Sequence, residues 1–142
     1  MFDIDEIYSK NRTVFERYEY DFERYGIKYT VALLKLNSKL KDYDIRFRDL
    51  VRKSDDKIYI NSTYRLLVFM NTDIKGGYDA LLTLEKEIIQ KYKLYNFCEN
   101  IFNAALAEKK RGIGIKDILD KIARMIKNIS EDCLVVTEDD IC

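Results

Sequence analysis

The sequence predicts an α+β sandwich with a mostly antiparallel central sheet flanked by helices, and three observations lead to this fold class. Amphipathic helix patterns alternate with short apolar runs typical of strands along the 142 residues. Two of these runs, at residues 58–60 and 66–70, enclose a polar turn and predict a β-hairpin. The chain is 47% hydrophobic and 13% aromatic, which is enough to bury a core. Helices alternating with strands around one antiparallel hairpin indicate the ferredoxin-like type of sandwich.

The first element is a helix predicted over residues 1–25. Its aromatic side chains recur at three- and four-residue intervals and mark a face that packs on a core: Phe15, Tyr18, Phe22 and Tyr25. Gly26 is suited to end this helix. The helix also carries Tyr8 and Tyr20, and not all of its tyrosines can face inward. An exposed aromatic surface is therefore expected.

The α+β core is predicted over residues 27–137, and residues 138–142 are predicted to be a frayed tail of the same single domain. The core elements are predicted in this order: a strand at 27–36, a helix at 42–53, the hairpin, a helix at 78–92, a strand at 100–107, a helix at 115–129 and an edge strand at 133–137. Gly76 and Gly77 are expected to form a flexible entry to a helix. The basic run at 109–111 is expected to be a solvated loop.

The charge balance limits the partners of this chain. The 25 basic and 25 acidic residues cancel, so no positive excess attracts DNA or an anionic membrane. No apolar run approaches the ~20 residues of a membrane span, and the acidic N-terminus does not resemble a signal peptide. A cytoplasmic protein without DNA or membrane partners is therefore expected.

The absence of histidine limits the chemistry. It excludes Ser-His and Cys-His nucleophilic pairs and removes the commonest zinc ligand. The three cysteines also lack the C-x-x-C spacing of metal sites. An enzyme built on this chain would depend on carboxylates, lysine, tyrosine or cysteine, and no cofactor is expected.

Residues 50–70 resemble the signature region of GGDEF domains, the diguanylate cyclase family that makes cyclic di-GMP. In that family a helix ends in leucine-arginine-x-x-aspartate, a short spacer follows, and the GGDEF turn precedes an apolar strand. Here Arg52 and Asp55 stand at the helix end, and residues 56–60 are the spacer. Every letter of the signature differs, because its positions hold Asn61, Ser62, Thr63, Tyr64 and Arg65.

The resemblance covers nearly the whole chain in element order and implies a nucleotide-cyclase-like fold without cyclase chemistry. In the family the first strand ends in aspartate-x-aspartate, whose first carboxylate binds magnesium, and here Lys35 and Asn37 occupy the two aspartate positions. An ammonium group repels the cations that a two-metal phosphoryl transfer needs. The segment with which the family grips its nucleotide is also missing between the first strand and the next helix. The resemblance therefore implies a degenerate domain that is not an enzyme.

Arg52 and Asp55 match the inhibitory site of the family, which binds the cyclic di-GMP product. A guanidinium can pair with a phosphate or with the edge of guanine, and a carboxylate can accept hydrogen bonds from guanine nitrogens. The resemblance thus implies cyclic di-GMP as a ligand of these two residues. The same pair could instead form a surface salt bridge at the end of a helix.

Three functions follow from the sequence. The first hypothesis is a catalytically inactive signalling domain that binds a protein partner or a second copy through its N-terminal helix and exposed aromatic residues. The alternative is a cyclic di-GMP receptor that uses Arg52 and Asp55. The third is an RNA-binding module in which Tyr59, Tyr64 and Phe69 stack on bases, although the neutral charge disfavours it.

Overall fold

The computed structural model describes residues 2–47 and 55–138. The elements follow in the order α1 (Ile4–Lys10), α2 (Arg12–Tyr25), β1 (Tyr29–Leu36), a 3₁₀ helix (Ser38–Tyr43), β2 (Asp56–Tyr59), β3 (Tyr64–Met70), α3 (Ile74–Lys91), β4 (Phe102–Glu108), α4 (Ile115–Lys127) and β5 (Val135–Thr137). Within the described ranges, no helix has both the length and the apolar character that a membrane crossing requires.

β1 is the central strand of a five-stranded sheet with the order β2-β3-β1-β4-β5. It pairs antiparallel with β3 and β4, so that Val31 lies opposite Val68 and Ala107. β2 is antiparallel to β3, whereas β4 and β5 are parallel. Residues 29–34 are all buried, because helices cover both faces of this strand. The predicted mostly antiparallel sheet with flanking helices is confirmed.

Two hydrophobic cores lie on opposite faces of the sheet, because successive strand residues point to opposite sides. On one face, α4 and the two N-terminal helices pack on alternate strand residues that include Val31 and Leu66. On the other face, α3 packs on a set that includes Leu34 and Phe102. The apolar stripe predicted at 115–129 is confirmed for Ile115, Ile118, Leu119, Ile122 and Ile126, which are all buried, whereas its last member, Ile129, lies beyond the end of α4.

The predicted N-terminal helix is divided in two at Asn11. The Asn11 side chain donates to the carbonyl of Ile7 at 2.9 Å, and the Asn11 backbone N–H bonds to the carbonyls of Ile7 and Tyr8. This side chain competes for carbonyls that a continuous helix would use itself, so α1 ends here and α2 starts again. Gly26 ends α2 in the left-handed conformation, with φ of 66°, as predicted.

The prediction of a helix at 42–53 is wrong for residues 42–47, the part that the structure describes. Asn37 caps the 3₁₀ helix by accepting from the Lys39 N–H at 3.0 Å, so the helical turns begin before Asp42. Asp44 then takes the left-handed conformation, with φ of 47°, and stops them. Residues 48–53 of the predicted helix and 139–142 of the predicted tail lie outside the described residues.

The expected flexible entry at Gly76 and Gly77 is in fact the first turn of α3. Asp73 caps this helix by accepting from the Gly76 N–H at 2.8 Å. A Cβ on Gly77 would lie 2.9 Å from Thr30 Cγ2 and 3.3 Å from Leu106 Cδ1. Gly77 therefore lets α3 approach the sheet closely, which is a packing role.

Buried polar contacts attach α2 to the sheet and to the loop after β4. The Lys109 ammonium lies 2.9 Å from a carboxylate oxygen of Glu19 and also donates to the carbonyl of Ile113. The Tyr29 hydroxyl donates to the other oxygen of Glu19. The expectation of a solvated basic loop is thus wrong for Lys109, which is only 5% exposed.

Candidate functional site

A polar cleft of about 700 Å³ opens where β1 ends and β3 and β4 begin. Lys35, the position predicted to be a degenerate metal site, lies opposite Tyr64 on β3 and Asn103 on β4. The turn of the hairpin reaches the same place, because the Leu36 N–H bonds to the carbonyl of Thr63 at 2.8 Å. The structure therefore brings together Lys35 and residues 61–65, the positions predicted to be a degenerate signature. We call this region the strand-end cleft.

The hairpin tip is held by its own side chains. The Asn61 carboxamide oxygen accepts from the N–H groups of Thr63 and Tyr64, both at 2.9 Å. The Arg65 guanidinium donates to the carbonyls of Asn61 and Tyr64. Ser62 remains exposed at the tip. The polar groups of Asn61 and Arg65 thus stabilise the turn itself.

Tyr64 and Arg65 point to opposite faces of the sheet. Tyr64 is buried, with its ring edge-on to Phe2 at 4.7 Å. Arg65 lies over the ring of Tyr59, with 4.5 Å between the guanidinium carbon and the ring centroid. Burial lowers the pKa of Arg65, although a guanidinium remains charged at neutral pH.

Three asparagines join the loops around the strand-end cleft: Asn37, which the sequence analysis placed at an aspartate position of the family, and Asn100 and Asn103, which it missed. The Asn37 carboxamide donates to the carbonyl of Asn100 at 3.0 Å, and that of Asn100 donates to the carbonyl of Glu131 at 3.1 Å. The Asn103 carboxamide donates to the carbonyls of Glu131 and Cys133. The sequence offered one signal for these residues, their position. Asn37 follows one predicted strand, and Asn100 and Asn103 lie at the start of another. These amide donors hold the loops together.

The charged groups of the strand-end cleft are mixed in sign. Lys35 is exposed, and Lys39 pairs with Glu99 at 2.5 Å. Glu131 and Asp132 also line the cleft. Among the described residues, no group of three or more acidic or cysteine side chains is arranged to hold a metal ion.

Asp55 lies beside the end of β3 that is farther from the hairpin tip. A strand of seven residues spans about 20 Å, so Asp55 is about that far from the tip. It is 3% exposed, and one carboxylate oxygen accepts from the Met70 N–H at 3.1 Å. It also lines a cavity of about 440 Å³. Arg52, the other half of the predicted inhibitory-type pair, lies outside the described residues.

The aromatic platform that an RNA-binding module would need is not formed. Tyr64 and Phe69 are buried on opposite faces of the sheet, and only Tyr59 is exposed, at 68%. Because helices cover both faces, bases cannot stack on these strands as predicted. The prediction of an RNA platform at these residues is therefore wrong.

Comparison with known proteins shows which fold the chain shares. No family model matches the sequence, and no curated protein matches it. The GGDEF domain of DgcB from Caulobacter crescentus, solved with c-di-GMP, is similar with a TM-score of 0.64 and 13% identity, over 91% of this chain and 88% of that one. The diguanylate cyclase SiaD from Pseudomonas aeruginosa, solved with its activator SiaC, is similar with a TM-score of 0.61 and 11% identity.

The SiaD match covers 89% of this chain and 58% of the SiaD chain, so the present chain spans little more than half of that cyclase. At these identities the similarity is one of fold. The protein has a GGDEF-like, nucleotide-cyclase-like α+β fold, as its sequence predicted.

Proposed function

We propose that this GGDEF-fold domain is a catalytically inactive signalling domain that acts by binding another protein. The observation that carries the proposal is the strand-end cleft, where the Lys35 ammonium and a self-contained hairpin tip occupy the region of the expected chemistry. A fold that keeps its architecture without this chemistry still offers a rigid surface to partners.

The argument against catalysis rests on charge. A two-metal phosphoryl transfer needs carboxylates to hold its cations, and the ammonium at Lys35 repels them. The tip offers no carboxylate in exchange, since residues 61–65 are Asn-Ser-Thr-Tyr-Arg. The Asn61 and Arg65 side chains are bound to the turn and would have to leave it to reach a nucleotide.

The argument for a protein partner rests on exposed aromatic side chains. Several tyrosines are at least 45% exposed: Tyr20, Tyr25, Tyr43, Tyr59 and Tyr95. Tyrosine supplies a large contact area at low entropic cost and is enriched at interfaces. SiaD, which shares this fold, was solved in complex with a protein activator. A partner of this kind, or a second copy of the chain, would use such a surface.

Two measurements test the proposal. Purified protein incubated with GTP and magnesium is expected to yield no cyclic di-GMP by chromatography, and product above a protein-free control would overturn the inactive assignment. Native mass spectrometry and light scattering, together with capture and reconstitution of a purified partner, are expected to find a stable complex. If the protein is strictly monomeric and no partner can be reconstituted, the proposed binding role is contradicted.

A cyclic di-GMP receptor is the second candidate, favoured by Asp55 at its cavity and by the ligand in the DgcB structure. The described lining of this cavity opposes it, because four carboxylates face a single cation: Asp55, Asp73, Asp79 and Glu87 against Lys28. Such a lining repels a ligand with two phosphates.

Isothermal titration with cyclic di-GMP decides between the two functions. We expect no heat of binding from the native protein. Micromolar or tighter binding that is lost in Arg52→Ala and kept in Arg12→Ala, an exposed arginine on α2, would make the protein a receptor instead.

A further inference from the structure

This inference rests on the proposed function and identifies the partner as a second copy of the chain. We propose that two copies exchange α1. In each copy α1 and α2 join into one continuous helix, and α1 packs on the site that the α1 of the other copy has left. Such a domain-swapped dimer keeps the contacts of the single chain and changes only the hinge, which is Asn11.

α1 lies in a docking site to which both α2 and α4 contribute. The Tyr8 ring stacks on the ring of Phe15 in α2, with 5.9 Å between the centroids. The Asp5 carboxylate lies 2.9 Å from the Lys116 ammonium of α4, which is also 5.9 Å from the centroid of the Tyr8 ring. Because α1 fits this site in the folded chain, the same segment of a second copy fits it as well.

α1 is held weakly in its docking site. Of the residues of α1, all of which the structure describes, Ile7 alone is buried. A cavity of about 300 Å³ is lined by α1, its flanking residues and residues 58–61, so this side of α1 is incompletely packed. Both side chains of the Asp5–Lys116 pair are exposed, so the pair adds little stability. Segments with few buried contacts open locally at low free-energy cost, so α1 can leave its site while the sheet stays folded.

The break at Asn11 interrupts the helical hydrogen bonds between α1 and α2. The last bond of α1 joins the Asn11 N–H to the Ile7 carbonyl, and the first bond of α2 joins the Phe15 N–H to the Asn11 carbonyl. In the described chain the N–H groups of residues 12–14 thus do not bond to the carbonyls of residues 8–10. The Asn11 side chain caps the end of α1, and the start of α2 has no side-chain cap. A continuous helix would form the bonds that are missing here.

The sequence of residues 4–25 suits one continuous helix. It includes no glycine or proline, and the apolar positions 4, 8, 15, 18 and 22, with Asn11 between 8 and 15, follow alternating steps of four and three residues. In such a helix Tyr8 and Phe15 stand two turns, about 10 Å, apart along the axis. Their ring stack at 5.9 Å indicates that α1 is bent toward α2 in the single chain. Straightening therefore carries α1 away from its own docking site and presents it to a second copy.

Replacement of Asn11 tests the hinge. Asn11→Ala removes the carboxamide bond to the Ile7 carbonyl and raises helix propensity at both hinges of the dimer. The association constant from sedimentation equilibrium is therefore expected to rise by about tenfold over that of the native protein. Asn128→Ala is the matched control, because Asn128 makes the same contact at the end of α4, to the Arg124 carbonyl at 3.1 Å. It should leave the association constant unchanged, and an equal rise in this control would overturn the hinge.

Thr13→Pro tests the continuous helix. Proline is tolerated in the first turn of α2, since the Thr13 N–H makes no helical bond across the break in the described chain. A continuous helix needs that N–H to bond to the Ser9 carbonyl, and the proline ring also clashes there. We expect a folded monomer by circular dichroism and loss of the dimer. A Thr13→Pro protein that dimerises like the native one would overturn the exchange.

A mixture of two charge variants shows whether α1 changes hosts. Asp5→Lys and Lys116→Asp each place like charges at both docking sites of their own dimers. A mixed dimer with exchanged helices instead pairs opposite charges at both sites. Native mass spectrometry of an equimolar mixture is therefore expected to find more mixed dimer than the half that random pairing gives. Random pairing would show that each α1 stays on its own copy, and would overturn the exchange.

The oligomeric state separates this inference from the proposed function. If the native and Asn11→Ala proteins are both monomeric at every concentration, the exchange of α1 is refuted. A reconstituted protein partner that binds this monomer would leave the proposed function standing. Absence of both a dimer and a partner would refute both.

Discussion

At the scale of single residues, the ion pair of Lys109 and Glu19 is the least expected feature. Glu19 is 25% exposed, and its carboxylate also accepts from Tyr29, while Lys109 lies 5.2 Å from the ring centroid of Phe22. A buried pair of this kind adds little over apolar packing, but losing one partner leaves the other charge poorly compensated. The pair therefore fixes how α2 sits against the loop after β4.

Replacing Lys109 with methionine should lower the free energy of unfolding by about 2–3 kcal/mol, less than for a fully buried pair because Glu19 keeps some water. Urea denaturation measures the change. Lys110→Met is the control, since Lys110 is exposed and lies 3.8 Å from Glu138, and should cost about 0.5 kcal/mol or less. Equal losses of unfolding free energy in the two variants would show that the half-buried Glu19 carboxylate does not need the Lys109 charge.

Tyr18 and Tyr29 should resist ionisation. Burial raises the pKa of both phenols well above the ordinary value, and hydrogen bonds to Asp56 and Glu19 raise them further. The folded state thus favours the protonated form, so this stability is fully present below the unfolded pKa of about 10 and is lost as pH rises above it.

A spectrophotometric titration of the 11 tyrosines should therefore show two that ionise only as the protein unfolds. The free energy of unfolding should fall progressively as pH rises above about 10, less steeply in Tyr29→Phe. Ionisation of all tyrosines together, with the fold intact by circular dichroism, would contradict this assignment.

At the scale of elements, the start of α3 shows how a small residue sets the distance between a helix and a sheet. Gly77 faces Thr30 of β1 and Leu106 of β4, and its missing side chain lets α3 lie against both strands. The Thr30 hydroxyl also donates to the carbonyl of Thr72 at 2.7 Å, just before the helix. Close packing and this bond together fix the point at which α3 begins.

Gly77→Ala should destabilise the protein by about 1–3 kcal/mol, because the added methyl group overpacks a filled interface by more than the gain in helix propensity. Chemical denaturation measures the loss. Lys75→Ala, at an exposed position of the same turn, should change stability by about 0.5 kcal/mol or less. A Gly77→Ala protein as stable as the native one would show that α3 can move away without cost.

At the scale of the whole molecule, one sheet joins two cores. The strands contribute alternate residues to a core with α1, α2 and α4 and to a core with α3. Neither core can lose its packing without exposing the sheet to water. The molecule should therefore unfold as one cooperative unit.

The whole-molecule prediction is a single transition that is reported alike by far-ultraviolet circular dichroism and tyrosine fluorescence. Lys109→Met and Gly77→Ala act on opposite faces, so each should shift the whole transition, and their effects should add within about 0.5 kcal/mol in the double variant. Two separate transitions, or a variant that shifts only one probe, would show that the faces unfold independently.

The sequence by itself determined the fold class and most element positions. The period of Ile115, Ile118, Leu119, Ile122 and Ile126 is a local signal, and it predicted the buried face of α4 because helix geometry depends on near neighbours. The polar turn between two apolar runs predicted the hairpin of β2 and β3 for the same reason. The departure of Lys35 and residues 61–65 from the cyclase pattern stays a prediction from the resemblance.

Only the tertiary structure decided which of these residues meet and which are buried. Lys109 looked like part of a solvated run until Glu19, far away in sequence, was found beside it. Gly77 looked like a flexible link until Thr30 and Leu106 were found across from it. Residues 44–46 are attached to the end of α3 through the Tyr92 hydroxyl, far away in sequence. These contacts come from non-local packing, which local periodicity does not encode.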